Sequence, residues 1–170
     1  MFKEINISDL EVNPFEAVGK QWMLITAGNS EKCNTMTASW GAMGVIWNKN
    51  TATCYVRPQR YTREFIDSEE YFSLSFLPED SRAALSLCGS VSGRDCDKIK
   101  DAGLTALFDC DAPYFAESEL ILICRKLYKG EIAPEGFIDP AIDGNYAQKD
   151  YHYIYIGEIV KALVKLTGDK

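Results

Sequence analysis

The sequence lacks the signatures of most common enzyme chemistries. It has one histidine, His152, among 170 residues. Its six cysteines, at 33, 54, 88, 96, 110 and 124, never form C-x-x-C, which argues against a zinc cluster and a thioredoxin-type dithiol. Several sit in apolar stretches, Cys54 in TATCYV and Cys124 in LILICRKL, and are expected to be buried free thiols. No G-x-G-x-x-G follows a strand, since GAMG at 41–44 is not that fingerprint. No P-loop, G-x-S-x-G or metal-ligand cluster is present. The sequence therefore shows no dinucleotide-binding fold of its own.

Long apolar runs are also missing. The longest strongly apolar run, Leu120 to Cys124, is far too short to span a bilayer. The N-terminal MFKEINISDLEVN is mixed and acidic, with no signal-peptide core, so a cytoplasmic location is expected. Basic excess is lacking too. Lys and Arg number 18 against 25 Asp and Glu, a formal net charge of −7, which suits neither nucleic acid nor an anionic membrane surface. A local cluster of cations can still hold an anionic ligand. With no repeat, low-complexity tract or linker, residues 1–170 read as one domain with an ordinary core.

What is present is a succession of β patterns. WMLITA at 22–27 reads as a buried strand, Asn34 to Trp40 as the next, and TATCYV at 51–56 as a third. Gly41 and Gly44 break the pattern between the last two. YTREFID at 61–67 reads as a short helix, and YFSLSFL at 71–77 alternates as a strand with one buried face does. A helix is expected from Pro78 to about Leu87, stopped by Gly89. After the polar turn SGRDCDK at 92–98 a short helix should end near Gly103, with Asp95 or Asp97 as its cap. Strands are expected at 105–110, at 119–132 with an interruption at Gly130, and at 151–164 with a bulge or bend at Gly157, and a long loop at 134–148. The result is a mainly β, antiparallel barrel or sandwich with a few short helices.

The stretch from Cys33 to Thr62 carries the chemistry. Thr35, Thr37 and Ser39 alternate along CNTMTASW, and RPQRYT gathers Arg57, Arg60, Tyr61 and Thr62 around Pro58. Hydroxyls, amides and guanidinium groups are the donors an anion site requires. Proline fixes its own φ and restricts Arg57. Trp40, Trp47, Tyr55 and Tyr61 lie close by, so a flat anionic ligand is the natural first candidate. The same residues also fit a solvated surface strand ending in exposed arginines.

NTMTASW and RPQRYT, in that order, resemble the flavin reductase-like family, which includes the flavoredoxins. SGRDCDK resembles that family's S-G-x-x-x-D-K segment, and HYIYIG at 152–157 its H-x-x-x-x-G segment. The likeness runs from about Trp22 to about Val160. It implies a split barrel that binds FMN, in a homodimer. It further implies that the strand residues Asn34, Thr35, Met36, Thr37, Ala38, Ser39 and Trp40 line the flavin. The turn residues Arg57, Pro58, Arg60, Tyr61 and Thr62 lie close to it, with Thr62 on the phosphate. Ser92 and Lys98 follow, Lys98 reaching the phosphate from the start of a helix, and His152 borders the flavin and nicotinamide pockets as the catalytic candidate. The implied activity is transfer of electrons from NADH or NADPH through FMN to free flavin, a protein or another acceptor. A flavoredoxin-like electron carrier and a non-catalytic flavin-binding module are the alternatives. No metal is implied.

Overall fold

Alternation builds this molecule. Along the long strands alternate side chains turn to opposite faces of the sheet, and those on the inner face meet in one large cluster. This computed structural model describes residues 1–166. In chain order the elements are β1 (Phe2–Ile5), α1 (Pro14–Glu16), β2 (Met23–Gly28), β3 (Cys33–Ala38), β4 (Gly41–Ile46) and β5 (Lys49–Val56). Then come α2 (Thr62–Ser68), β6 (Tyr71–Phe76), α3 (Arg82–Ser90), α4 (Lys98–Asp101), β7 (Ala106–Leu107), β8 (Tyr114–Phe115), β9 (Leu120–Glu131) and β10 (Tyr153–Lys165). Every strand pairing is antiparallel. The main sheet runs β3-β2-β6-β9-β10-β5-β4, and β1 adds to the far end of β10.

The inward set includes Met23 and Ile25 of β2, Met36 of β3, Cys54 and Val56 of β5, Phe72 and Leu74 of β6, Cys124 of β9 and Tyr155 of β10, all in one buried cluster. Strands far apart in the sheet order share this core, so the sheet curls around it as a barrel does. On the outer face Leu24 packs with Leu85 and Cys88 of α3. Each such side chain, fully buried, contributes about 1.5–3 kcal/mol.

Gly157 shows why β10 bends. A Cβ there would come within 2.8 Å of both Cys124 Cβ and Phe72 Cζ, and the pairing with β9 shifts register between Ile156 and Gly157. The bulge expected from the sequence is present. All six cysteines are free, with Cys54, Cys88 and Cys124 buried.

Four expectations need correction. Gly41 to Ile46 is a strand, not a break. It turns into β5 through Trp47 and Asn48, both at positive φ (53° and 57°), the geometry of a two-residue type I′ hairpin. The helix expected to stop at Gly89 runs through it to Ser90. Gly89 faces Thr37, whose Cβ would lie 3.4 Å from an added one, so the glycine serves the close approach of α3 to β3. The strand expected at 105–110 shrinks to Ala106–Leu107. Gly130 does not interrupt β9, which continues to Glu131.

Candidate functional site

β3 ends the strand order and pairs only with β2, which leaves one backbone edge without a strand partner. Against it lies a cleft of about 420 Å³, lined by Met36, Thr37, Ala38, Ser39 and Trp40 together with Tyr55, Arg57, Gln59, Arg60 and His152. A smaller recess of about 180 Å³ shares Met36, Gln59 and Arg60 with it and adds Tyr61, Thr62, Ser90, Val91, Ser92 and Lys98. On the other side an apolar hollow of about 450 Å³ shares Ser39, Trp40 and Tyr55, and adds Phe15, Val18, Ile132 and Tyr146.

The recess is cationic. Lys98 is only 4% exposed, and Nζ donates to the carbonyls of Cys88 and Val91, each at 3.2 Å. These belong to the C-terminal end of α3, where carbonyls lack helical partners and a cation is favoured. Burial, opposed by Cys88 and reinforced by Arg60, pushes the lysine down to about 8. The helix behind this lysine, α4, is one turn long, and Asp97 caps it by accepting from Lys100 N. Arg60 donates to the Gly89 carbonyl at 2.7 Å and to that of Thr37. Burial and the charge of Arg57 both lower it. Among the described residues neither Lys98 nor Arg60 has a carboxylate ion-pair partner. Thr62, 1% exposed, accepts from Asn34 Nδ2 at 2.8 Å. Its own hydroxyl hydrogen has no acceptor among the described residues.

Arg57 behaves differently. It pairs with Asp150 at 2.6 Å and donates to the Asn145 carbonyl at 3.0 Å. Gln59 donates to the same carboxylate at 2.8 Å, and these two hydrogen bonds hold Asp150 below the usual carboxylate range. The RPQRYT turn is thereby clamped to the loop between β9 and β10. His152, 7% exposed, packs against Trp40 with ring centroids 5.0 Å apart, and Nδ1 lies 3.0 Å from the Tyr146 hydroxyl. Burial first, then Arg57 and Arg60 against the opposing Asp150, pushes its pKa down to about 4. The imidazole is neutral at physiological pH.

The residues expected from the sequence divide into two layers. Met36, Thr37, Ala38, Ser39, Trp40, Arg57, Arg60, Tyr61, Thr62, Ser92, Lys98 and His152 reach the walls of the cleft or recess. Asn34, Thr35 and Pro58 do not. The Thr35 hydroxyl turns to Thr26 and to the Ile25 carbonyl, because Thr26 on the neighbouring β2 is its cross-strand partner. Asn34 stands behind the recess, with its amide on Thr62 and its carbonyl oxygen against Gly93, where a Cβ would come within 2.0 Å. One side chain thus joins NTMTASW, RPQRYT and SGRDCDK. Among residues not singled out, Gln59 lay inside a recognised motif, whereas Tyr146 lies in a loop with no periodicity to betray it.

The family model described as flavin reductase like domain matches residues 15–170. The chain belongs to the flavin reductase-like family. No curated protein matches its sequence. Among solved structures it is similar to a flavoredoxin from Methanosarcina acetivorans, at 24% identity over 85% of this chain and 68% of that one, TM-score 0.68. It is also similar to an FMN-binding domain of a flavin reductases-like enzyme from Shewanella baltica, at 18% identity over 96% and 77%, TM-score 0.70. A split barrel domain protein from Shewanella frigidimarina matches at 18% identity over 96% and 79%, TM-score 0.68. The architecture is the expected one, a mainly β, antiparallel split barrel with a few short helices.

Proposed function

We propose that this flavin reductase-like chain binds FMN and works as an oxidoreductase that takes electrons from NADH or NADPH. The observation that carries the proposal is the recess, where two cations, buried Lys98 and half-buried Arg60, have no carboxylate partner among the described residues. They stand with a buried hydroxyl, Thr62, that has a proton left to donate. Leaving buried charge uncompensated is costly, and a phosphate is the group these donors suit. The fit extends to the rest of the cofactor. The adjoining cleft offers the edge of β3 at 36–40 to a polar ring margin, and Trp40 and Tyr55 to a flat aromatic body.

Bound there, FMN would supply the hydride and electron chemistry that no side chain of this protein supplies. The chain's own residues would do the rest. Lys98, Arg60, Thr62 and Ser92 would hold the phosphate, and Asn34 would keep Thr62 and the 92–98 turn in place. Residues 36–40 would orient the ring. His152, uncharged, would offer hydrogen bonding beside it. The hollow at Phe15, Val18 and Ile132 leaves room for a nicotinamide or an acceptor to approach the same cleft.

A homodimer is part of the proposal. Val45, Ile46 and Trp47 at the tip of the β4–β5 hairpin, with Tyr128 beside them, are exposed, and a second copy would cover such a patch. A reducing, cytoplasmic setting suits six free thiols, and among the described residues no helix is long and apolar enough to cross a membrane.

The test is anaerobic addition of NADH or NADPH to purified protein loaded with FMN, followed by flavin absorbance. Bleaching within seconds is expected. Bound flavin that does not bleach would replace the reductase reading with that of an electron carrier reduced by a protein partner.

A further inference from the structure

The loop between β9 and β10 carries no motif, yet it reaches the site through Tyr146. This side chain is buried. Its ring stacks on Phe137 with an interplanar angle of 16° and packs against Tyr151 at 4.8 Å. The guanidinium of Arg57 lies 5.2 Å from its centroid. Its hydroxyl lies 3.0 Å from His152 Nδ1, the only hydrogen-bond partner it has among the described residues.

Two polarities are open to that bond. If Nδ1 carried the imidazole proton, it would donate to the phenolic oxygen, and the phenolic hydrogen would be stranded in a buried place. In the opposite polarity the hydroxyl donates to Nδ1, and the imidazole proton sits on Nε2. Nε2 has no partner among the described residues, and His152 lines the cleft, so that N–H remains available to a ligand. Each arrangement leaves one hydrogen without a partner among the described residues; in the second it is the N–H of His152, which lines the cleft, rather than the hydroxyl of Tyr146, which is 2% exposed and outside the cleft lining.

We propose that Tyr146 is a positioning residue that holds neutral His152 in its Nε2-protonated form, so that the ring presents one fixed N–H donor to the occupant of the cleft. Naming that occupant as flavin rests on the function proposed above; the tautomer does not. The groups facing the imidazole agree with a neutral ring. Arg57 and Arg60, on the turn after β5, oppose a further positive charge. Asp150, on the same loop, favours it but is already engaged by Arg57 and Gln59. Tyr55 presents its ring edge-on at 6.4 Å. Burial raises the Tyr146 phenol, which therefore keeps the proton it donates.

Because His152 is the only histidine, long-range nitrogen–proton NMR of isotope-labelled, tag-free holoprotein reads its two ring nitrogens directly. The wild type should show Nε2 protonated and Nδ1 bare, with no titration between about pH 6 and about pH 8. Tyr146→Phe keeps the ring stack and removes the hydroxyl. Its two nitrogens should move toward each other as both tautomers become populated. Its titration midpoint should rise, because a donor that favoured the neutral ring is gone. A wild type protonated at Nδ1, or a variant with the wild-type spectrum, would overturn the proposal. If Tyr146→Phe fails to fold, the wild-type tautomer alone decides it. Flavin content of the same samples is read from visible absorbance. A colourless wild type counts against the flavin reading while leaving the tautomer measurement valid, so the two failures are told apart.

Discussion

Lys98 is pulled in two directions, and pH separates them. Its folded pKa is pushed down to about 8 by burial, from an ordinary lysine value of 10.5. Between those two values the unfolded chain holds a proton that the folded one has shed, so the flavin-free protein should gain stability as pH rises through that window. The charge that burdens folding is also the charge that would hold a phosphate. FMN affinity should therefore fall as pH rises past about 8, and isothermal titration at several pH values would show both slopes. Lys98→Ala and Thr62→Ala should each weaken FMN by about 10- to 150-fold, the equivalent of about 1.5–3 kcal/mol for a charge-assisted hydrogen bond. Unchanged affinity in both would place the phosphate elsewhere. His152 follows the same sign in a lower window. Its folded pKa of about 4 lies below the ordinary 6.5, so its contribution should cost stability as pH falls from 6.5 toward 4. Flavin reduction should show no inflection from this residue near neutral pH. His152→Ala should retain FMN and slow reduction by about 10-fold, as loss of one neutral hydrogen bond of about 1.4 kcal/mol implies.

Among the elements, the edge strand and the loops around it decide the site. Gly93→Ala should drive a Cβ into the Asn34 carbonyl oxygen, loosen its hold on Thr62, and lower FMN affinity with little change in melting temperature. Gly157→Ala should do the reverse. Its Cβ would meet Phe72 and Cys124 in the core, costing about 1–3 kcal/mol of stability in denaturant titration with flavin affinity nearly kept. The sequence revealed much of this scale, because β2, β5, β6 and β10 alternate or run apolar, and the Gly157 bulge sits in such a strand. β4 escaped because its turn is Trp47–Asn48 rather than the usual Asn-Gly, and because its two glycines look like breakers when their strand partners are unknown. Within the site, the family resemblance pointed to Thr62 and Lys98, and both line the recess. It could not distinguish Thr37, on the cleft wall, from Thr35, which shares the alternation but bonds to β2. Tyr146 and Asp150 were hidden for a further reason, since contacts such as Arg57–Asp150 span ninety-three positions of chain and leave no local pattern.

On the scale of the whole molecule, the site opposes the average. A chain of net charge −7 gathers Arg57, Arg60 and Lys98 at one edge strand, so affinity for an anionic cofactor should depend on these residues and weaken with salt where solvent reaches them. Light scattering at micromolar protein should report a dimer, and an FMN-loaded monomer would contradict that part of the account. The central claim is that the cleft and recess together hold one FMN, and titration of the flavin-free protein with FMN, followed by flavin fluorescence, tests it most directly. The account predicts saturation at about one FMN per chain. It also predicts markedly weaker binding of riboflavin, which lacks the phosphate that Lys98, Arg60 and Thr62 are built to receive. Riboflavin binding as tight as FMN, or no binding of either, would contradict it.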